Sequence, residues 1–360
     1  MSLLLNHPSK LCFRRPVLVR SSPRISDAFS PSFMQTPPCS IIKAVPCGGD
    51  LGRLEVVWDG PDPVNYLEKK VPMELMNESE VIGSSNGWVA TLKDDGILRL
   101  QDDLNPCASD TDPKRIPLPP LVTLPHCQTK LVTNVSMSSS SPEDEDCVVA
   151  VKFLGPQLSF CRPTRSKYGW INVKIENSCF YNSHVMFSKK DQMFRVVGSG
   201  GHLVGSWDLH EYKHSPKLQK LRFRNLPKMS KAKRELMDMC CTTEYLVESE
   251  STGETFLVKR YRKTLPETTK EMKTEFLMVF NIDQKGNAVY TKDIGDLCIF
   301  LSKSEPFSVT ASSFPVDLTA NKIIFDDVDE FGVASLEDST IHSENSTSSA
   351  PYQIPPQPIY

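Results

Sequence analysis

What the 360-residue chain lacks narrows it first. No apolar run approaches the ~20 residues that cross a bilayer as a helix, and no Cys-x-x-Cys occurs. The eleven cysteines are odd in number and no secretory apolar segment opens the chain. They therefore read as reduced, mostly buried thiols in an intracellular compartment, not as a disulfide framework. Gly-x-Ser-x-Gly spacing occurs at Gly83-Ser84-Ser85-Asn86-Gly87, but an apolar strand-like run and not a helix follows it, so the strand-to-helix elbow of a serine hydrolase is missing. With a net charge of −3, no global field favours nucleic acid or an anionic membrane. Long helical periods are missing too, and 28 prolines argue for many turns.

Acid is absent from the first 26 residues, which carry Lys10, Arg14, Arg15, Arg20 and Arg24 among frequent serines. That is the composition of an organellar transit peptide. Leu3, Leu4, Leu5, Leu11 and Phe13 supply an apolar side, and arginine over lysine favours the mitochondrion, with the plastid as runner-up. The mature chain is expected to start between Asp27 and Cys47.

What is there in quantity is short strands. Trp88–Leu92 and Ile97–Leu100 flank Lys93-Asp94-Asp95-Gly96, and an Asp-Gly pair between apolar runs is a strong hairpin signal. Similar pairs follow: Cys147–Phe153 with Leu158–Arg162, His184–Phe187 with Met193–Val197, Tyr245–Glu250 with Thr255–Tyr261, Phe276–Ile282 with Ala288–Lys292, and Lys322–Phe325 with Gly332–Leu336. Pro106–Pro125 is too rich in proline for helix and reads as extended chain at a sheet edge. Ser230–Cys241 is the best helix candidate, with Ser230 as its cap. Roughly fifteen strands at 8–15-residue spacing exclude two-helix repeats and doubly wound folds. A sandwich, a barrel or a β-propeller remains; at ~40–50 residues per four-stranded blade, a propeller would have five or six degenerate blades.

Three segments carry a family likeness. GSSNGWVATLKDDGILRLQDDLNP from Gly83, RIPLPPLVTLP from Arg115 with CVVAVKFLG from Cys147, and NKIIFDDVDEFGVASLE from Asn321 resemble the plant "domain of unknown function 295" family. This is the KIB-type, kelch-like β-propeller domain, and the likeness runs from about Val71 to Leu336. The resemblance implies an all-β propeller. Family members come in two sorts: one bears an N-terminal F-box and is thought to bring substrates to a ubiquitin ligase, the other bears an organelle-targeting segment instead. Pro72-x-Glu74-Leu75 mimics the start of an F-box, but the hairpin begins by Gly83 and leaves too little chain for its helices. The chain resembles the second sort. The expected organisation is a transit peptide and leader over 1–45, a propeller over 46–336, and a Ser/Thr/Pro-rich tail over 337–360 whose apolar content is too low for a core of its own.

Residues of chemical interest are few. His202, His210 and His214 lie close in sequence but read as exposed turn histidines, since no matching ligands accompany them. Gly198-Ser199-Gly200-Gly201 lacks the Lys-Ser/Thr and helix of a phosphate loop, so a tight turn is expected. The adjacent Cys240 and Cys241 read as buried helix-end thiols. The one charge anomaly runs from Lys217 to Arg234. It holds Lys217, Lys220, Arg222, Arg224, Lys228, Lys231, Lys233 and Arg234, no acid, and Phe223, which could stack on a base. Cations with an interleaved aromatic suit single-stranded RNA. The plainer reading is a solvated strand and helix face, and the acidic segment Asp326, Asp327, Asp329, Glu330, Glu337, Asp338 and Glu344 offers a partner within the chain. With no catalytic constellation and no cofactor or metal site, the sequence points to a non-enzymatic organellar propeller that binds a protein partner. The alternatives are an RNA-binding module using residues 217–234 and, after it, a ubiquitin-ligase adaptor. Neither DNA binding nor a membrane span is expected.

Overall fold

Trp88–Leu92 and Ile97–Gln101 pair antiparallel as expected, with Leu92 opposite Leu98. Gly96 takes φ +73°, a left-handed turn conformation open to glycine. The Asp95 carboxylate accepts from the Ile97 N–H at 2.8 Å and pairs with Arg99 at 2.5 Å, so the turn residues also pin the second strand. This is a computed structural model, and it describes residues 35–58, 64–76, 81–125, 127, 131–208, 215–265, 271–314, 318–346 and 352–358.

The hairpin belongs to one of six small sheets. Blade one holds β1 (Cys39–Gly48), β2 (Leu51–Trp58) and β3 (Val64–Pro72). Blade two holds β4 (Val81–Ser85), β5 (Trp88–Leu92), β6 (Ile97–Gln101) and β7 (Arg115–Pro120). Blade three holds β8 (Val132–Met137), β9 (Val149–Phe153), β10 (Gln157–Cys161) and β11 (Ile171–Lys174). Blade four holds β12 (Val185–Ser188), β13 (Met193–Val197), β14 (Leu203–Trp207) and β15 (Lys217–Lys220). Blade five has β16 (Arg222–Arg224) on its outer edge, then β17 (Cys241–Glu248), β18 (Thr255–Thr264), β19 (Met272–Ile282) and β20 (Asn287–Thr291). Blade six holds β21 (Leu297–Leu301), β22 (Phe307–Thr310), β23 (Lys322–Asp326), β24 (Glu330–Ser335) and β25 (Thr340–Asn345). The last strand, β26 (Tyr352–Ile354), pairs with β1 and completes blade one. The architecture is a six-bladed β-propeller.

The ring closes by joining the chain ends. Ile41 lies opposite Tyr352, Cys39 opposite Ile354, and the Thr36 N–H donates to the Gln357 carbonyl at 2.9 Å. Strand pairing thus runs past both expected limits of the propeller, 46 and 336. β1 starts at Cys39, and both β25 and β26 lie in the segment expected to be a tail. The low apolar content of that segment did not matter. β25 is an exposed edge strand, where main-chain pairing suffices, and β26 needs only three residues, all buried.

The core lies between blades. Trp88, Ala90 and Leu100 of blade two pack on Val135, Met137 and Val149 of blade three. Phe160 of blade three meets Phe194 of blade four at 5.3 Å between ring centroids. Val247 and Val258 of blade five face Ile299 and Ile323 of blade six. Burial of each such side chain contributes roughly 1.5–3 kcal/mol, so the stacking of blades dominates the stability of the ring. At the blade five–six interface a buried charge is held by an opposite one. Arg260 and Glu330, 1% and 0% exposed, join blades five and six at 2.9 Å. Arg260 also sits 4.4 Å from the Phe325 ring centre, and Glu330 accepts from the Thr274 N–H.

Candidate interaction surfaces at the axis and the rim

Blade six breaks the regular order, and this builds the axial site. The chain enters at β21, second from the axis, then steps inward through Ser302–Pro306 to form β22. It returns outside β21 as β23, which runs parallel to β21. The inward step carries Glu305 to the inner strands of three other blades. Its carboxylate accepts from the Ser85 hydroxyl of β4 at 2.6 Å, the Ser136 hydroxyl of β8 at 2.6 Å and the Phe187 N–H of β12 at 2.9 Å. Its own N–H donates to the Ser84 carbonyl, and the neighbouring Ser304 hydroxyl accepts from the Gln353 N–H of β26 at 3.1 Å. Burial pushes the Glu305 carboxyl above the usual carboxylate range, against the pull of these donors.

Glu305 forms part of the wall of a bowl of about 450 Å³. Met137, Met186 and Phe307 give the bowl an apolar lining, and Lys189, Glu248 and Glu250 also line it. Lys189 pairs with Glu250 at 2.6 Å. Glu248 accepts from the Lys190 N–H through Oε1 at 2.9 Å, while its buried Oε2 has no hydrogen-bond partner. Three carboxylates against one ammonium, on aliphatic and aromatic walls, suit a cationic group on an apolar stem.

On the outer rim, the structure brings the predicted basic residues into one ribbon. Lys217 and Lys220 lie on β15, the outer strand of blade four. Arg222, Phe223 and Arg224 lie on β16, the outer strand of blade five, parallel to β20. Only Leu221 separates the two strands. Lys228 follows in the turn, and Lys231, Lys233 and Arg234 lie on the helix α1 (Lys231–Asp238). Ser230 caps it as expected, accepting from the Lys233 N–H. All eight cations are exposed. Phe223 is only partly exposed. Strand alternation turns Arg222 and Arg224 out and Phe223 in, where it meets Phe280 edge-on at 4.8 Å beneath the Lys259 ammonium. Three members of the acidic segment are engaged elsewhere: Asp327 pairs with Arg260 and Arg262, Glu330 with Arg260, and Asp326 is buried. Burial and the adjacent Asp327 push Asp326 up to about 8.

A profile of the KIB1-4 β-propeller family matches residues 61–348. The chain belongs to this family. Its matched span leaves out β1, β2 and β26, the strands of blade one that effect closure. No curated protein matches by sequence. Among solved structures, Kuenenia stuttgartiensis hydrazine synthase is similar with a TM-score of 0.36 and 7% identity, covering 81% of this chain and 89% of that one. Kluyveromyces lactis Hsv2 gives 0.31 and 11%, covering 64% and 68%. Virginiamycin B lyase from Staphylococcus aureus gives 0.31 and 9%, covering 74% and 85%. At these scores the likenesses carry no argument about function.

The remaining singled-out residues in this KIB1-4 propeller fall as follows. His202 is exposed in the turn after β13, while His210 and His214 lie outside the described residues. Gly200 and Gly201 form that turn with φ +85° and +73°, and the Gly200 N–H donates to Glu244 at 2.7 Å. Cys240 is partly buried at the helix end and donates to the Leu236 carbonyl, but Cys241 is exposed because it already begins β17. Of the ten described cysteines, five are buried, two are intermediate and Cys47, Cys107 and Cys241 are exposed. Sequence reasoning missed Glu305 and the bowl. The segment Ser-Lys-Ser-Glu-Pro reads as an ordinary polar loop, and only its non-local partners give it a role.

Proposed function

We propose that this protein is a non-enzymatic, organelle-targeted propeller that binds a partner protein through the bowl at the end of its axis. The family fold is consistent with a protein-interaction module. One observation supports the site most directly: Glu248, Glu250 and Glu305 converge on an apolar-walled bowl in which Lys189, the one lysine of its lining among the described residues, is already paired with Glu250. A partner loop or chain end bearing lysine or arginine complements it, its aliphatic stem on Met137 and Met186 and its charge among the carboxylates. The acid-free, arginine-bearing leader supports import into the mitochondrion.

Two experiments test this. Tagged full-length protein recovered from isolated mitochondria after crosslinking should hold a reproducible partner, and Glu248→Lys with Glu250→Lys should lose it. Recovery unchanged by both charge reversals would remove the bowl from the proposal. A fluorescent reporter carrying residues 1–47 should co-localise with mitochondrial markers; a cytosolic signal would remove the address.

A further inference from the structure

The rim ribbon suggests a second docking activity, independent of the bowl. We propose that the outer edge of blades four and five, residues 217–239, docks the protein peripherally on an anionic lipid surface.

Three observations carry this. The first is charge: eight exposed cations are followed by only Glu235 and Asp238, and Glu235 is paired with Lys231. The local field is strongly positive on a chain whose net charge is −3. The second is exposed aliphatic surface: Leu218 stands 58% exposed on β15, Leu226 57% exposed in the turn before α1, and Met239 62% exposed at the helix C-cap. Large apolar side chains standing this free of the core, interspersed with cations, are the composition of surfaces that enter the headgroup and acyl boundary. The third separates lipid from RNA. Single-stranded RNA is held by aromatic faces as well as cations, and the ribbon's one aromatic, Phe223, is turned in against Phe280. The side chains left outside are aliphatic and offer bases no stacking face, but they suit lipid chains.

Both outer edges are free to do this, since no strand pairs outside β15 or β16 among the described residues. α1 packs the partly buried Leu236 and Met237 against blade five and leaves Lys231 and Arg234 exposed. No helix of the described residues is long and apolar enough to cross a membrane, so docking would be peripheral.

Flotation of the full chain with vesicles tests the proposal. Vesicles of phosphatidylcholine alone are compared with vesicles containing about 30% phosphatidylserine. The protein should float with the anionic vesicles and not the neutral ones, and less so at high salt. Arg222→Glu with Arg224→Glu should weaken this more than about tenfold. Leu218→Ser, Leu226→Ser and Met239→Ser together should weaken it several-fold without changing the salt dependence. The leader's cations are common to every protein compared, and thermal melting of each variant checks that the ring is intact. Flotation unchanged by the charge reversals, or insensitive to the three serines, would overturn the proposal. So would retention of a single-stranded RNA through Arg222 and Arg224 in place of vesicle binding.

Discussion

The axis and the rim of this propeller hold charge under opposite conditions. Near the axis and between blades, ionisable groups are withdrawn from solvent and bound in several directions at once: Glu305 to three inner strands, Arg260 to Glu330 and Asp327. On the rim of blades four and five, eight cations stand exposed to solvent, Lys217 among them pairing with Asp208. The same side-chain types therefore serve as structural pins in one region and as a display in the other. The difference is dielectric. A buried charge must be matched locally or the ring opens, whereas a solvated one costs little and leaves its field available to a partner.

The sharpest break of this comparison is at the blade five–six interface. Glu330→Ala removes the shorter of the two ion pairs of the buried Arg260 guanidinium and leaves the one to Asp327, and denaturant unfolding should show a loss of about 3 kcal/mol. A loss below about 1 kcal/mol would mean that this pair is solvated after all.

The next effect concerns Asp326, whose Oδ1 is buried without a partner. Its folded value of about 8 lies above the ordinary 3.8 because burial, and then Asp327, disfavour the charged form. The folded state therefore holds this proton more tightly than the unfolded state. Stability tied to Asp326 is fully present below the unfolded value and declines as pH rises from about 3.8 to about 8. Asp326→Asn should flatten the pH dependence of the melting temperature in that window and be relatively more stable at pH 9 than at pH 4. Parallel curves for the two proteins would contradict the assignment.

The smallest effect belongs to the rim. Arg224→Ala removes an exposed cation and should change unfolding free energy by no more than about 0.5 kcal/mol. A larger loss would show that the ribbon is a structural element and not a display.

Much of the fold was legible because it is written locally. The hairpin across Lys93–Gly96, the strand pairs of blades three to five and the Ser230-capped helix all rest on alternation, turn chemistry or capping within a dozen residues. The proline-rich stretch became β7, an edge strand, where the missing N–H groups of Pro117, Pro119 and Pro120 are tolerated. The axial site was not legible. Glu305 is separated by 118 to 220 residues from the groups that bind it, and no local pattern marks an acid that will be buried. The inward lean of Phe223 was not legible either, because a three-residue strand has too little alternation to reveal its faces until β20 is alongside.

By itself the sequence determined that the chain would be short strands joined by polar turns, with one capped helix, an acid-free first 26 residues and a cationic run at 217–234. Those features follow from backbone preferences and local charge. Only the tertiary structure decided that there are six blades, that residues 352–354 close the first, and that Ser302–Pro306 turns inward to pin the axis. These outcomes depend on hydrogen bonds and packing between residues hundreds of positions apart, which become defined only once the ring has closed.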